Sequence, residues 1–401
     1  RRTLGEVMQA TKNTLSSVYK LGFCLIGDPA VKIAYPEFGM KVTTVNGQSV
    51  DGNSISFKAL EKITVEGEVL DASGQLVTDF TGIVNPTVKD SKVTVTCLKN
   101  SNKDDSPAFT FTDYPNTIFI GNDSVRNGKF SFTFTVPKDI SYSNLQGKMN
   151  LYAVDTKSGN EAQGNFDNFI VGGTSDTAET DTIGPEIRAL YLNDTTFVDG
   201  GQVNTTPYFV AELWDKSGVN ITGSSVGHDM MLVIDESTVL SYNLNSYYEL
   251  LPGEDGTGIV KFPIPALEPG KHTAEFWVWD ILNNSTVRTF TFEVVEGLKP
   301  FLFDVIATPG IAREQVTFHL MHNRPESRMR VGIMVYDLAG RQLWKHEESG
   351  TSGLFENYTV SWDLTSGGAR MRPGVYIYRA AISTDNSKDA TKARKFIILG
   401  E

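Results

Sequence analysis

The residues able to do chemistry in this 401-residue chain are few and scattered: two cysteines, Cys24 and Cys97, and five histidines, His228, His272, His319, His322 and His346. A nucleophilic thiolate needs an exposed position and an imidazole or other cation beside it to lower its pKa. Cys24 stands in the apolar run Phe23-Cys24-Leu25-Ile26, and no histidine precedes His228. It therefore reads as a small hydrophobe of a core, as does Cys97 in Val95-Thr96-Cys97-Leu98. Two cysteines in different modules make neither a disulfide framework nor a Cys-rich zinc site. His319 and His322 form an H-x-x-H, which would face one metal from a helix. The residues around them alternate like a strand, where positions three apart point to opposite faces, so no zinc site is expected.

The acidic stretches Asp104-Asp105, Asp215, Asp255-Gly256 and Asp385 to Asp389 carry the hard oxygens that calcium takes. Calcium wants about six to eight oxygens from a shaped loop, and no EF-hand spacing is present, so these read as solvated turns. Arg324, Arg328 and Arg330, with Arg370 and Arg372 on a later loop, could meet an anionic partner such as a lipopolysaccharide head group or an acidic protein face. A charged rim is the plainer reading. No residue is singled out as catalytic, cofactor-binding or metal-ligating, and no cofactor is expected.

Composition sets the frame for these groups. Apolar residues make up 40% and charged residues 21%, ordinary for a globular protein. The length exceeds one core; at ~100–150 residues each, three or four domains are expected. No run approaches the ~20 apolar residues of a membrane helix. Residues 301–401 hold 13 Lys/Arg and 11 Asp/Glu, a net of +2, so the chain total of −12 leaves −14 on residues 1–300. An acidic body argues against nucleic-acid binding. The start, Arg1-Arg2-Thr3, runs straight into a helical pattern without a signal peptide and reads as a cut within a longer protein.

The elements follow from periodicity. Leu4, Val7, Met8, Thr11, Leu15, Val18 and Tyr19 share one face at a 3.6 period, opened by a Thr3/Glu6 capping box and closed at Lys20 and Gly22. A buried strand, Phe23 to Ile26, should follow and end at Gly27-Asp28-Pro29. Helix then strand is a remnant of an α/β sheet, too small to be a domain. From Phe38 the period becomes two. Lys62 to Val69 puts Ile63, Val65 and Val69 on one face; Lys92 to Cys97, Lys129 to Val136 and Lys148 to Val154 alternate likewise. Residues 174–182 are polar and acidic, a linker. A second module has strands at Tyr208 to Trp214, Met230 to Ile234, Gly258 to Phe262, His272 to Trp279 and Arg288 to Val295, with Asp-led turns after Trp214 and Trp279. A third has strands at Gln315 to Met321, Met329 to Asp337, Thr359 to Trp362, Gly374 to Ala381 and Ala393 to Leu399, with exposed loops at Gly350 to Gly353 and Asp385 to Lys388. The fold class is mainly β: tandem immunoglobulin-like sandwiches preceded by a helix–strand remnant of a caspase-like α/β domain. The boundaries fall at 1–36, 37–173, 174–182, 183–297 and 298–401.

The run Gly22 to Pro36, with its Gly27-Asp28-Pro29 turn, resembles the end of the catalytic domain in gingipain-like C25 cysteine peptidases. Val65-Glu66-Gly67-Glu68-Val69, Asp79-Phe80-Thr81-Gly82, Asn127-Gly128-Lys129-Phe130, Val136 to Ile140 and Tyr152-Ala153 resemble the sandwich that follows it in that family. Asp181 to Ile187, Asp215 to Asn220, and Trp279-Asp280 with Asn283-Asn284 are similar to a second module of the type IX secretion sortases. Tyr336 to Gly340, Trp362-Asp363 and Arg372 to Tyr378 are similar to type IX sorting domains. Cargo domains of that kind open on Pro-Asn-Pro; here Ala307-Thr308-Pro309-Gly310 stands in its place, which fits a retained rather than a cleaved domain.

What the resemblance implies is the C-terminal part of a cell-surface sortase at the outer membrane of a Gram-negative bacterium. The family's catalytic His and Cys lie upstream, so none is carried onto this chain. The missing domain would cleave sorting domains from cargo through a Cys thiolate and a thioester, and pass cargo to anionic lipopolysaccharide. The last module would dock on a PorV-like outer-membrane β-barrel protein, within an attachment complex that includes PorQ-like and PorZ-like proteins. Two alternatives stand beside it: a secreted gingipain-type protease carried as cargo, and a non-catalytic surface adhesin or stalk.

Overall fold

A computed structural model describes residues 2–32, 35–99, 107–176, 181–223, 227–251, 256–384 and 386–400. The chain is mainly β, and it divides into two compact units, Arg1–Val136 with Ser141–Ser175, and Pro137–Ile140 with Asp176–Glu401.

The first unit opens on a helix, Leu4–Thr14. Its start is the expected capping box: the Thr3 amide donates to Glu6 Oε2 at 2.8 Å and the Glu6 amide to Thr3 Oγ1 at 3.2 Å. The amides of Leu4 and Gly5 donate to the carbonyls of Val31 and Pro29, so the first-turn donors are satisfied by the returning chain. The helix stops earlier than its period predicts. Thr11 and Thr14 hydroxyls bond back to the carbonyls of Val7 and Thr11, and Leu15 is already extended. Such back-bonding and the Ser16-Ser17 pair compete with helical hydrogen bonds. A separate 3-10 turn, Val18–Gly22, follows.

The strand expected at Phe23 to Ile26 does not form. Those residues pair with no described strand, and Ile26 is 98% exposed. A strand is held by neighbours, and the described residues offer none here. Cys24 is consequently exposed, and so is Cys97; both are free thiols rather than core residues.

From Phe38 the alternation holds. Lys62–Leu70 buries Ile63, Val65, Gly67 and Val69 on one face. Lys129–Thr135 pairs with it antiparallel and buries Phe130, Phe132 and Phe134. Gly67 leaves room for Phe130, whose ring would lie 2.2 Å from a Cβ at that position. The larger sheet comes back on itself, because Lys148–Asp155 pairs with both Glu161–Phe166 and Gly82–Lys89. Closing the path in this way leaves few open edges. A three-stranded sheet, Leu145–Gln146, Phe169–Thr174 and Ile55–Ala59, packs onto it. There the Phe57 ring stacks on Phe169 at 4.3 Å and meets Phe134 edge-on at 5.9 Å. The predicted strand at Lys92 to Cys97 joins neither sheet. Among the described residues Val93–Thr96 pairs only with Thr110–Asp113, as a hairpin of its own.

Among the described residues the second unit holds two pairs of larger sheets and a short two-stranded one, Thr365–Ser366 with Ala369–Arg370. In the first pair, Glu186–Leu192, Tyr208–Trp214, Thr257–Pro263 and Tyr248–Leu250 form one sheet. The other runs Gly201–Val203, Ser285–Val294, Gly270–Trp279, Met231–Ile234 and Ser241–Asn243. In the second pair, Leu302–Thr308, Val316–His322 and Tyr358–Trp362 form one sheet. Its partner runs Ile311–Ala312, Ala390–Ile398, Gly374–Ser383, Met329–Tyr336 and Gln342–Gly350. Phe318, Tyr378, Phe396 and Trp362 fill the space within this last pair. The Tyr378 hydroxyl donates to the Val305 carbonyl at 3.0 Å, satisfying the one polar atom of a buried ring.

Two sequence expectations fail in this unit. Gly350 ends a strand and Ser352 is buried, its hydroxyl 2.8 Å from His322 Nε2, so that segment is not an exposed loop. Arg324 is buried rather than part of a charged rim: Nη1 donates to the Asn323 carbonyl and Oδ1, and Nη2 to the Leu298 carbonyl. Its aliphatic stem is covered and the guanidinium caps carbonyls, which local sequence does not reveal.

Candidate metal centre

Three carboxylates from distant parts of the sequence meet in the second unit. Asp215 follows Trp214, the last residue of Tyr208–Trp214; Asp280 follows Trp279, the last residue of Gly270–Trp279. Each opens a turn held by its own side chain. Asp215 Oδ1 accepts from the amides of Ser217 (2.7 Å) and Gly218 (2.9 Å). Asp280 Oδ1 accepts from Leu282 (2.9 Å) and Asn284 (2.7 Å). The turns are locked together by backbone bonds, Asn220 amide to Trp279 carbonyl and Ile281 amide to Gly218 carbonyl.

Asp181, just ahead of the first strand, completes the group. Its Oδ2 accepts from Ser217 Oγ at 2.7 Å and its carbonyl from Asn284 Nδ2 at 3.1 Å, so each turn supplies one tie. One carboxylate oxygen from each of Asp181, Asp215 and Asp280 lies within 4.8 Å of the others.

The electrostatics are those of charge crowded out of water. Burial pushes Asp215 up to about 6, against the pull of the Gly218 and Ser217 amides, and the charges of Asp280 and Asp181 add to the rise. Asp280 is also raised, by burial first. Asp181 goes the other way, held down by the Ser217 hydroxyl and the Ile183 amide. Buried carboxylates are ordinarily paired or bound to a metal. Oxygens at this spacing can share one hard divalent cation such as calcium, whose bonds are about 2.3–2.6 Å, with water or a second carboxylate oxygen filling the remaining positions.

Of the acidic stretches named from the sequence, only Asp215 enters this group, and it is 4% exposed rather than a solvated turn. Asp104-Asp105, Asp255 and Asp385 lie outside the described residues. Asp181 and Asp280 lie outside those stretches. The available signal was the repeated Trp-Asp at two strand ends. The H-x-x-H histidines make no centre. His322 uses both ring nitrogens, accepting from the Arg324 amide and bonding Ser352 Oγ. Burial, with the charge of Arg324, lowers its pKa to about 4.

Tandem β-sandwich sheets, with an acidic cluster where two turns of the second unit meet, define a modular β protein. No protein-family model matches the sequence, and no curated protein matches it. Among solved structures it is similar to dimeric latent PorU from Porphyromonas gingivalis, 37% identical over 100% of this chain, with a TM-score of 0.42. This chain spans 38% of that PorU chain. It is also similar to a tetra-tandem repeat from the extending region of a large adhesion protein: 14% identity, 91% of this chain, 74% of that chain and a TM-score of 0.19. The N-terminal Ig1-2 module of the Drosophila receptor tyrosine phosphatase DLAR matches at 9% identity, over 55% of this chain and 100% of its own, with a TM-score of 0.22.

Proposed function

We propose that this chain is the C-terminal, non-catalytic part of a PorU-like sortase of type IX secretion. The observation that carries the reading is sequence identity of 37% to PorU along the whole chain. The ordered motifs from Gly27-Asp28-Pro29 to Arg372-Pro373-Gly374 support it. The catalytic domain that would precede residue 1 cuts sorting domains from cargo through a cysteine thiolate. The sandwiches here hold that domain at the cell surface, peripheral to the outer membrane. No helix among the described residues is long and apolar enough to cross a membrane, which is compatible with that placement.

The last module is the docking element of this reading. Its strand Gln342–Gly350 ends a five-stranded sheet, with one side unpaired among the described residues, and such an edge can take a strand from a barrel partner. The PorV-like partner, the PorQ-like and PorZ-like neighbours and anionic lipopolysaccharide belong to the proposal. So does self-association, since the related PorU structure is of a dimeric latent form.

The test is a pull-down from outer-membrane extract using the chain with and without residues 298–401. Capture of a β-barrel protein by the intact chain alone supports a retained anchor. Equal capture by both, or by neither, removes the docking role from the last module.

A further inference from the structure

The pair of sheets that carries the three aspartates also has a half-filled edge. On one side Ser285–Val294 is paired along its whole length with Gly270–Trp279. On the other side Gly201–Val203 covers only Phe292 to Val294. Just ahead of that cover, the Thr291 amide donates to Asp199 Oδ1 at 2.6 Å, and the Thr291 carbonyl accepts from the Gly200 amide at 2.8 Å. Backbone groups of a strand point the same way every second residue, so Thr289 and Val287 turn their N–H and C=O to that side too. No described strand pairs with them there. The bare stretch ends at Ser285, where Gly184 comes so close that a Cβ would lie 2.6 Å from the Ser285 carbonyl oxygen.

A cavity of about 400 Å³ opens beside this gap, between residues 288–290 and residues 187–190 of the edge strand in the facing sheet. That is the size of a small-ligand site, ~300–1,000 Å³. Ile187 and Leu190 pair with the buried Leu213 and Ala211, so they face the inside of the sandwich. Phe290 and Phe292 are buried, so Arg288, two residues ahead of Phe290, stands at an inward position as well. Phe197 forms one wall, its ring meeting Phe290 edge-on at 6.4 Å. Among the described residues the Arg288 guanidinium makes no hydrogen bond or ion pair. Its charge reaches Asp199, whose Oδ1 is already committed to the amide and hydroxyl of Thr291. The cavity therefore joins an apolar floor, one uncommitted cation and a short run of open strand edge.

We propose that this gap receives an extended peptide segment with an acidic side chain. The segment lies in line with Gly201–Val203 and completes the edge, taking the open amides and carbonyls of Val287 and Thr289. In strand addition of this kind the main chain supplies affinity and alternate side chains supply specificity. One inward side chain is a carboxylate that meets Arg288, a charge-assisted contact the planar guanidinium can make through two donors. The inward neighbours two residues away are apolar and cover Ile187, Phe197 and Phe290. Charge complementarity selects this occupant: a neutral or basic strand leaves Arg288 unanswered over an apolar floor, and a second copy of the same edge sets one Arg288 against another. This edge is not the Gln342–Gly350 edge of the last module, and the inference does not rest on the anchoring role.

The experiment titrates the full chain against a blocked, fluorescently labelled peptide, valine–threonine–aspartate–threonine–valine, read by polarisation. Saturable binding by the wild type is expected, and the asparagine counterpart of the peptide should bind about tenfold more weakly. Arg288→Gln should bring the aspartate peptide down to the level of its asparagine counterpart. Arg288 has no bonded partner to lose, so this variant should unfold at the wild-type temperature. Hydrogen exchange on the wild type gives a readout that needs no variant: the amides of Val287 and Thr289 should gain protection when peptide is added, and the Thr291 amide, already bonded, should change less. Absence of saturable binding, equal binding of the two peptides, an Arg288→Gln chain that binds like wild type, or unchanged exchange at Val287 and Thr289 overturns the proposal. Equal protection by sodium acetate also overturns it, by assigning the cavity to small carboxylates. The outer-membrane pull-down can fail without altering any of these readouts.

Discussion

Asp215 and Asp280 occupy equivalent corners: each follows the tryptophan that closes its strand, each cups two backbone amides with Oδ1, and each is buried. The two turns are bonded to each other through Gly218–Ile281 and Asn220–Trp279, so the carboxylates are held together rather than splaying into water. Their mutual repulsion is a fixed cost of the fold unless a proton or a cation offsets it.

That cost sets a pH dependence. Asp215 titrates at about 6 in the folded chain against an ordinary 3.8. A raised carboxyl stabilises the fold below the lower value, and the contribution is lost as pH rises through the higher one. In a chelator, stability should fall by on the order of 3 kcal/mol between those values and then level. Added calcium should restore the loss above about pH 6, because it replaces the protons. Asp215→Asn should flatten the pH profile and abolish the calcium response. Thermal unfolding with chelator and with calcium checks this; an identical midpoint in both above that pH would rule out the cation site.

His322 works in the opposite direction. Its folded pKa is about 4 against an ordinary 6.5, because burial disfavours the charged ring. A depressed value means stability that is present above the ordinary pKa and lost as pH falls toward the folded one. Acid should therefore loosen the last pair of sheets by on the order of 3 kcal/mol while it relieves the Asp215 corner. The protection factors of Val316–His322 and Tyr358–Trp362, which are exchange rates corrected for the intrinsic rate at each pH, should fall below about pH 6 in the wild type, and His322→Asn should remove that pH dependence. Protection factors in these strands that stay constant with pH in the wild type would refute it.

Gly82 offers a steric test. A Cβ there would sit 1.8 Å from the Val154 carbonyl oxygen, and the obstacle is backbone in the paired strand. Gly82→Ala should lower the first unit's denaturant midpoint by an amount worth about 2 kcal/mol or more. Gly332→Ala is the control: its nearest neighbour is 3.7 Å away, so the change should stay within about 0.5 kcal/mol. Equal effects of the two substitutions would contradict the packing described.

The sequence alone determined what depends on spacing along the chain. Ile63, Val65 and Val69 share a buried face because side chains in a strand alternate, and Phe130, Phe132 and Phe134 follow the same rule. The Thr3/Glu6 box, and the turns led by Asp215, Asp280 and Asp337, form within a few residues and so are local chemistry. Tertiary structure decided what depends on neighbours. Phe23 to Ile26 looks like a buried strand but has no partner among the described residues, and Cys24 and Cys97 are exposed despite apolar surroundings in sequence. Arg324 is buried because carbonyls of Leu298 and Asn323 receive its guanidinium. Asp181, Asp215 and Asp280 come together only when two sheets bring their turns to one end. Alternation tells which face of a strand is apolar; it carries no information on which distant turn will lie beside it, because that is fixed by sheet order and by packing across the core.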